Sequence, residues 1–407
     1  MHSATGRGDG TRMSTDRLGR RQFIDRLAKT GAALAGLAGA APLLGQDAPP
    51  PPAAEAEPAT PPTPPPPPGA RYGLPLTEAG EIPCGLCPRG CKMVKGARGQ
   101  CQAYVHSPEG RLDSLGYGKI AKLQVEPIEA DHFFHVLPGA QAVFFGAPTC
   151  NLRCTYCSEW RLSQFPVEKV PNQAVEPRAL VEQVAAQGGR LLGFTYTDPA
   201  AALEYALDVA IAAREQGIHP IAHTGAHLMP GPMKDYASVL SALNVDLKAY
   251  AEQTYKQLCE ASLQPILDAI KAARETPVWL EITCLMVPGY NTTLSVVQDM
   301  CKWIAENCGP VTPVHFARFF PEHKHRQWQT APTDPVQLKS FREAAYEAGL
   351  LFAYIDNVPG DTGESTLCPK CAEMLIRRIG TNVGAINFDP NNGLCTHCGT
   401  AIPGVWQ

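Results

Sequence analysis

The sequence predicts an α/β fold, a partial (β/α)6 barrel with small cysteine-rich metal-binding segments at both ends. Three observations predict it. Between about Gln141 and Asp356, short β-branched or aromatic runs alternate with longer helical patterns, which is how a parallel sheet with helices on its outside is written in sequence. Of the 15 cysteines, 11 fall into three tight groups, one inside that region and one on either side of it. An odd total with short CxxC-type spacings favours metal ligation over a disulfide framework. Finally, a stretch with 12 prolines in 21 residues, from Ala48 to Pro68, separates all of this from the N-terminus.

Residues 1–46 read as an export signal. Arg20-Arg21 followed by Gln22-Phe23-Ile24 resembles the twin-arginine motif. A weakly apolar, uncharged run follows from Thr30 to Leu44, with Ala38-Gly39-Ala40 as a small-residue cleavage site. That run is shorter than the ~20 residues of a membrane-spanning helix, so no transmembrane helix is expected in the mature chain. Export to the periplasm or cell envelope follows; a disordered basic leader on a chain acting in the cytoplasm is the other reading. Residues 47–70 form an extended Pro-rich linker, because so many prolines cannot donate the hydrogen bonds of helix or sheet. A net charge of −4 gives no basic surface for nucleic acid.

Residues 71–137 carry Cys84, Cys87, Cys91 and Cys101 among turn-forming residues such as Pro88, Gly90, Gly96 and Gly99. Four cysteines there suit zinc or a second iron–sulfur cluster equally. The barrel is assigned to residues 138–362. Its strands are predicted at Ala142–Gly146, Leu191–Tyr196, Pro220–His223, Asn244–Lys248, Val278–Leu285, Pro313–Phe319 and Leu351–Ile355. Helices are predicted at Pro177–Gln187, Ala200–Gln216, Leu263–Thr276, Leu294–Asn307 and Pro335–Ala348, with Pro177 and Pro335 in first turns, where a missing N–H costs nothing. The active site of such a barrel lies at the C-terminal ends of its strands. Residues 363–407 close the chain with Cys368-Pro-Lys-Cys371 and Cys395-Thr-His-Cys398. These two knuckles make a zinc-ribbon-like four-sulfur site, for which zinc is the expected metal and rubredoxin-like iron the alternative. Cys259, Cys284, Cys301 and Cys308 lie in apolar periodic segments and read as buried core thiols.

Cys150, Cys154 and Cys157 directly follow the first predicted strand. Cysteine thiolates are the usual ligands of iron–sulfur clusters. A 4Fe–4S cluster held by three of them keeps one iron open for a ligand. The competing reading is zinc, with His132, His135 or a remote residue as fourth ligand.

The CxxxCxxC spacing, with Tyr156 before the last cysteine, is the signature of radical S-adenosylmethionine (SAM) enzymes. Beyond it, the chain resembles the radical SAM component of the AmmeMemoRadiSam system, a family similar to the activating enzymes of pyruvate formate-lyase and other glycyl-radical enzymes. The resemblance runs from Ile82 to Trp406. It includes Cys84-Gly-Leu-Cys87-Pro-Arg-Gly-Cys91, Leu115-Gly-Tyr-Gly118, Glu126-Pro-Ile-Glu129, Asn244-Val-Asp-Leu-Lys248, Pro288-Gly-Tyr-Asn291 and Pro313-Val-His315. It implies that SAM chelates the open iron, that one electron cleaves it to a 5′-deoxyadenosyl radical, and that the radical abstracts hydrogen from a substrate, a macromolecule being among those open to it. The electron would come from a donor such as flavodoxin or ferredoxin. It also implies that Asp246 and Lys248 help hold SAM and that His315, at a strand end, lies near the nucleoside.

The chain departs from the family where Thr197-Asp198-Pro199 replaces an expected Asn-Glu-Pro that binds the SAM amino group, and where His223-Thr224-Gly225 replaces Thr-Asn-Gly. Asp198 keeps the charge with one methylene less. Two alternatives therefore stand beside the leading reading: an exported iron–sulfur and zinc protein without SAM chemistry, and a glycyl-radical-enzyme activase. The second is weakened because Ser158 to Gln187 contains no cysteine for a ferredoxin-like insertion.

Overall fold

The computed structural model describes residues 69–407; the expected export signal and most of the expected Pro-rich linker lie outside the described residues. The centre is an eight-stranded sheet whose strands are neighbours in chain order. They are β1 (Lys122–Pro127), β2 (Gln141–Gly146), β3 (Leu191–Phe194), β4 (His219–Thr224), β5 (Ala242–Asp246), β6 (Trp279–Met286), β7 (Val314–Arg318) and β8 (Ala353–Asp356). From β2 to β8 every pairing is parallel, while β1 joins β2 antiparallel. All seven predicted strands are present and parallel, as expected for an open, barrel-type α/β sheet.

Helices α1 (Pro177–Ala186), α2 (Leu203–Glu215), α3 (Pro230–Val239), α4 (Glu252–Cys259), α5 (Leu263–Arg274), α6 (Leu294–Cys308) and α7 (Pro335–Glu347) connect the strands. Pro177, Pro230 and Pro335 each open a helix, and Asp334 caps α7 by accepting from the Val336 N–H at 2.9 Å. β6 shows how the sheet sorts side chains by alternation. Leu280, Ile282 and Cys284 alternate with Glu281, which is equally buried and meets the segment after β1, and with Thr283 and Leu285, which line the cavity at the strand end.

The segment 128–137 runs through the hollow of the sheet, held by side chains from several strands. Asn244 of β5 donates to the His132 carbonyl at 2.7 Å, and the Phe134 and His135 N–H groups donate to Glu281 of β6 at 3.0 and 2.9 Å. His135 is completely buried, and its ring nitrogens contact the Pro403 carbonyl and the Tyr354 hydroxyl, both at 2.7 Å. With both nitrogens spoken for, His135 is not a ligand that completes a zinc site on the three central cysteines.

The C-terminal segment shares a core with this floor: Leu375, Ile376, Phe388 and Ile402 pack with Phe134, Phe352 and Tyr354. Arg378 is 1% exposed, donates to the Phe134 carbonyl at 2.6 Å and to Thr366 Oγ1 at 2.8 Å, and pairs with Glu129 at 3.4 Å. The tail is therefore held by apolar packing as well as by its cysteines. Their sulfurs converge: Cys368 and Cys398 are 3.6 Å apart, Cys371 and Cys395 3.8 Å. A tetrahedral metal with metal–sulfur bonds of ~2.3 Å places its sulfurs about 3.8 Å apart, so this group fits one metal ion.

Candidate active site

The loop after β2 carries Cys150, Cys154 and Cys157, and all three line one cavity of about 450 Å³ together with Tyr156, Asp198, Asp246 and Lys248. Gly146 ends β2 where a Cβ would meet the Thr195 carbonyl at 2.6 Å, so the loop leaves the sheet in close contact with the next strand. The loop is then clamped from outside. The Arg153 and Thr155 N–H groups donate to the carbonyls of Cys259 and Leu258 at the end of α4, at 3.1 and 2.8 Å, and Thr149 Oγ1 donates to the Cys101 carbonyl at 2.6 Å.

Two of the three sulfurs have a polar neighbour. The Leu152 N–H faces Cys150 Sγ at 3.4 Å, and Ser163 Oγ lies 3.3 Å from Cys157 Sγ. Burial pushes the free Cys157 thiol up to about 11 and raises Cys150 further, so ligation must release protons and draws its stability from the metal bond. Cys259, read from sequence as a core thiol, lies within hydrogen-bonding reach of Cys154 and 3.9 Å from the Tyr156 hydroxyl. Nothing in its helical spacing signals that position.

Opposite the cysteines stands a charged wall. Lys248 Nζ lies 2.7 Å from Asp246 Oδ2, and His223 lies 3.3 Å from Asp246 Oδ1 and 3.0 Å from Asp131 Oδ1. Burial alone would lower the Lys248 pKa, but the Asp246 carboxylate together with Cys154 and Cys259 outweighs it and holds the ammonium charged. Burial would likewise raise Asp246, but Lys248 and His223 keep it well below the usual carboxylate range. Asp246 ends β5 and Lys248 lies just beyond it, both where the cavity opens.

Asp198 sits in the cavity wall but is tightly engaged. Its Oδ1 accepts from the Ala200 N–H at 3.0 Å, and its Oδ2 accepts from Thr224 Oγ1 and the Gly225 N–H, each at 2.9 Å. Thr197 turns its hydroxyl to the Ala147 carbonyl at 2.9 Å. The shorter acid is thus fixed by the chain itself, and Thr224, from the second altered triplet, is one of its donors.

His315 is placed otherwise than the sequence predicts. It is the second residue of β7, not a strand end, and the next inward position, Ala317, is the one that lines the cavity. His315 is completely buried, with Nδ1 2.9 Å from Asp356 and Nε2 2.8 Å from Glu281. Both nitrogens are used one layer below the cavity.

In the sequence, His223 stands out only as a departure from the family triplet. Burial would lower its pKa, but the carboxylates of Asp131 and Asp246 and the hydrogen bonds to them raise it to about 10. Its folded pKa lies above the unfolded value of 6.5, so its stabilisation is fully present below that pH and is lost as pH rises through about 10. Thermal melts of the parent and of His223→Gln between pH 6 and 10 are expected to converge at the alkaline end; parallel curves would contradict the charged bridge.

Gly225 gives a second test. A Cβ there would meet Leu152 Cδ1 at 2.5 Å, Lys248 Cε at 3.2 Å and Asp198 Oδ2 at 3.4 Å. Overpacking of this kind costs about 1–3 kcal/mol, so Gly225→Ala is expected to lower the stability of the fold by that amount in a denaturant titration; an unchanged midpoint would contradict this packing.

Residues 146–304 match the family model described as the Radical SAM superfamily. An uncharacterized protein of Methanocaldococcus jannaschii is 35% identical over 322 residues, covering 79% of this chain and 95% of that protein. Among solved structures, a domain of a pyruvate-formate lyase-activating enzyme from Bacteroides vulgatus aligns with TM-score 0.33 at 17% identity, over 38% of this chain and 91% of that one. A radical SAM methyltransferase from Sphaerobacter thermophilus aligns with TM-score 0.42 at 14% identity, over 54% and 66%. The chain belongs to the Radical SAM superfamily. Membership implies a 4Fe–4S cluster, SAM as its ligand and a reductant to drive it, and the three cysteines on one cavity are a donor set that fits such a cluster.

Proposed function

We propose that the chain is a radical SAM enzyme of the AmmeMemoRadiSam type that cleaves SAM reductively and abstracts hydrogen from a substrate entering the same cavity. The observation that carries this is the meeting of Cys150, Cys154 and Cys157 with Asp198 and Lys248 around one space. When bound, the cluster supplies the electron that breaks the C–S bond of SAM. The chain supplies the rest. Asp198, fixed by three donors, presents a carboxylate to the SAM ammonium, and Lys248, held charged by Asp246, offers a point charge to the SAM carboxylate. Tyr156 and Leu152, both buried, line the same cavity and add apolar surface beside the cysteines. A second cavity of about 690 Å³ shares Ala130, His132, Phe320 and Asn357 with the first, which gives room for a large substrate next to the site of cleavage.

The test is to purify the full chain anaerobically, reconstitute and reduce it, add SAM and assay 5′-deoxyadenosine with methionine. A chain with a full cluster that makes neither is not a radical SAM enzyme. Flavodoxin or ferredoxin is the proposed electron donor. Zinc is the proposed metal of Cys368, Cys371, Cys395 and Cys398; metal analysis of Cys371→Ser/Cys398→Ser should show the loss of one zinc and a lower melting temperature. Arg20-Arg21 is proposed as an export signal, tested by fusing residues 1–48 to a reporter with both arginines changed to lysine as control.

A further inference from the structure

The N-terminal cysteines admitted zinc and an iron–sulfur cluster alike on sequence, and their spacing in the fold separates the two. Cys84, Cys87, Cys91 and Cys101 line a single cavity, so they form one group. Yet among the described residues the donor sets that converge within 4.8 Å of one another are the C-terminal cysteines and His132, His315 and Asp356; no three of the N-terminal sulfurs come that close. A single tetrahedral zinc draws its sulfurs to about 3.8 Å, the spacing that the C-terminal group shows. A polynuclear cluster interposes its own irons and sulfides and holds the thiolates farther apart. The same chain therefore carries both spacings, and the wider one belongs to the N-terminal group.

The environment is that of an anionic, buried cofactor. Cys84, Cys87 and Cys101 are buried and Cys91 partly so. The Gln100 N–H donates to Cys91 Sγ at 3.4 Å, and burial, the largest influence on Cys84, Cys87 and Cys101, pushes their free thiols up, so that they are held as ligands by a bound metal and not as free thiolates. Arg89 lines the cavity, and the Arg153 guanidinium acts on Cys101. The space also touches the catalytic loop. Asn151, next to Cys150, lines it; its side-chain amide donates to the His227 carbonyl at 2.7 Å, and its backbone carbonyl accepts from Arg89 Nε at 2.8 Å.

We infer that Cys84, Cys87, Cys91 and Cys101 hold a second, redox-active iron–sulfur cluster, packed against the loop that carries Cys150, Cys154 and Cys157. Its presence does not depend on whether the chain cleaves SAM. In the full chain with Cys150, Cys154 and Cys157 all changed to alanine, reconstitution is expected to leave roughly two to four irons per chain with matching sulfide, and a dithionite-reduced EPR signal that SAM does not alter. A folded triple variant with zinc in place of iron and sulfide overturns the inference. The converse variant, Cys87→Ser/Cys91→Ser, guards against a triple variant that fails to fold. It is expected to lose that same share of iron and keep the SAM-sensitive signal; iron equal to the parent's overturns the inference. A chain that shows the second cluster but makes no 5′-deoxyadenosine sinks only the catalytic reading.

Discussion

Cys154→Ala is expected to abolish the proposed 5′-deoxyadenosine formation while leaving unchanged any metal held by the C-terminal cysteines. Cys154 is buried at the centre of the loop, between Cys259 and the field of Lys248. Its loss leaves two thiolates for a cluster that needs three. Altering partners behind metal ligands already costs about 10–100-fold, so removal of a ligand is expected to cost at least ~100-fold in turnover. The C-terminal cysteines pack in a separate core with Phe134 and Tyr354 and should keep their metal. Cys259 adds a control, since a thiol within reach of the deleted one can serve as a substitute ligand. Any iron retained by Cys154→Ala should fall further in Cys154→Ala/Cys259→Ala. If iron and zinc in the single variant both equal the parent's, the cysteine assignment is wrong.

The sheet was legible because parallel strands covered on both faces appear as unbroken apolar runs. Ala142 to Gly146 are buried throughout, whereas the polar Asn244 interrupts Ala242–Asp246, which begins two residues before the predicted Asn244–Lys248. β1 escaped because it is an antiparallel edge strand, Lys-Leu-Gln-Val-Glu-Pro, half-buried along its whole length, with charges and a proline that edges tolerate. α3 begins Pro-Gly-Pro, and α4 is short, with five polar residues in eight, so that its buried stripe of Tyr255, Leu258 and Cys259 spans little more than one turn. In the site, cysteine spacing and the Asp246–Lys248 pair are local in sequence and were visible. The bridge of His223 to Asp131 joins residues 92 positions apart, and that of His315 to Glu281 and Asp356 spans 34 and 41. No local pattern encodes such partners. The misplacement of His315 has the same origin: the motif identified the strand, but only the register showed which inward layer the histidine occupies.

That layer makes His315 the position where substitution should cost most stability. Its imidazole is completely buried between two buried carboxylates. Burial alone would lower its pKa, but Asp356 and Glu281 raise it to about 9, so it is charged at neutral pH. Glu281 also accepts the Phe134 and His135 N–H groups, and Asp356 also binds His132 at 2.7 Å, so the imidazolium ties the segment 128–137 to β6, β7 and β8. His315→Leu leaves two buried acids without their counter-charge, a loss of about 3–5 kcal/mol, or roughly 10 °C in melting temperature. The folded pKa lies above the unfolded 6.5, so this contribution is complete below that pH and fades as pH rises through about 9. The gap between parent and variant should be widest near pH 6 and narrow towards pH 9 to 10. A histidine in contact with the nucleoside would behave differently, weakening SAM binding in protein that is still folded. Placement below the cavity predicts instead that His315→Leu, at a temperature where it is fully folded, binds SAM within a few-fold of the parent while melting far earlier. Equal melting temperatures at pH 6, or a large loss of SAM affinity without a loss of stability, would overturn that placement.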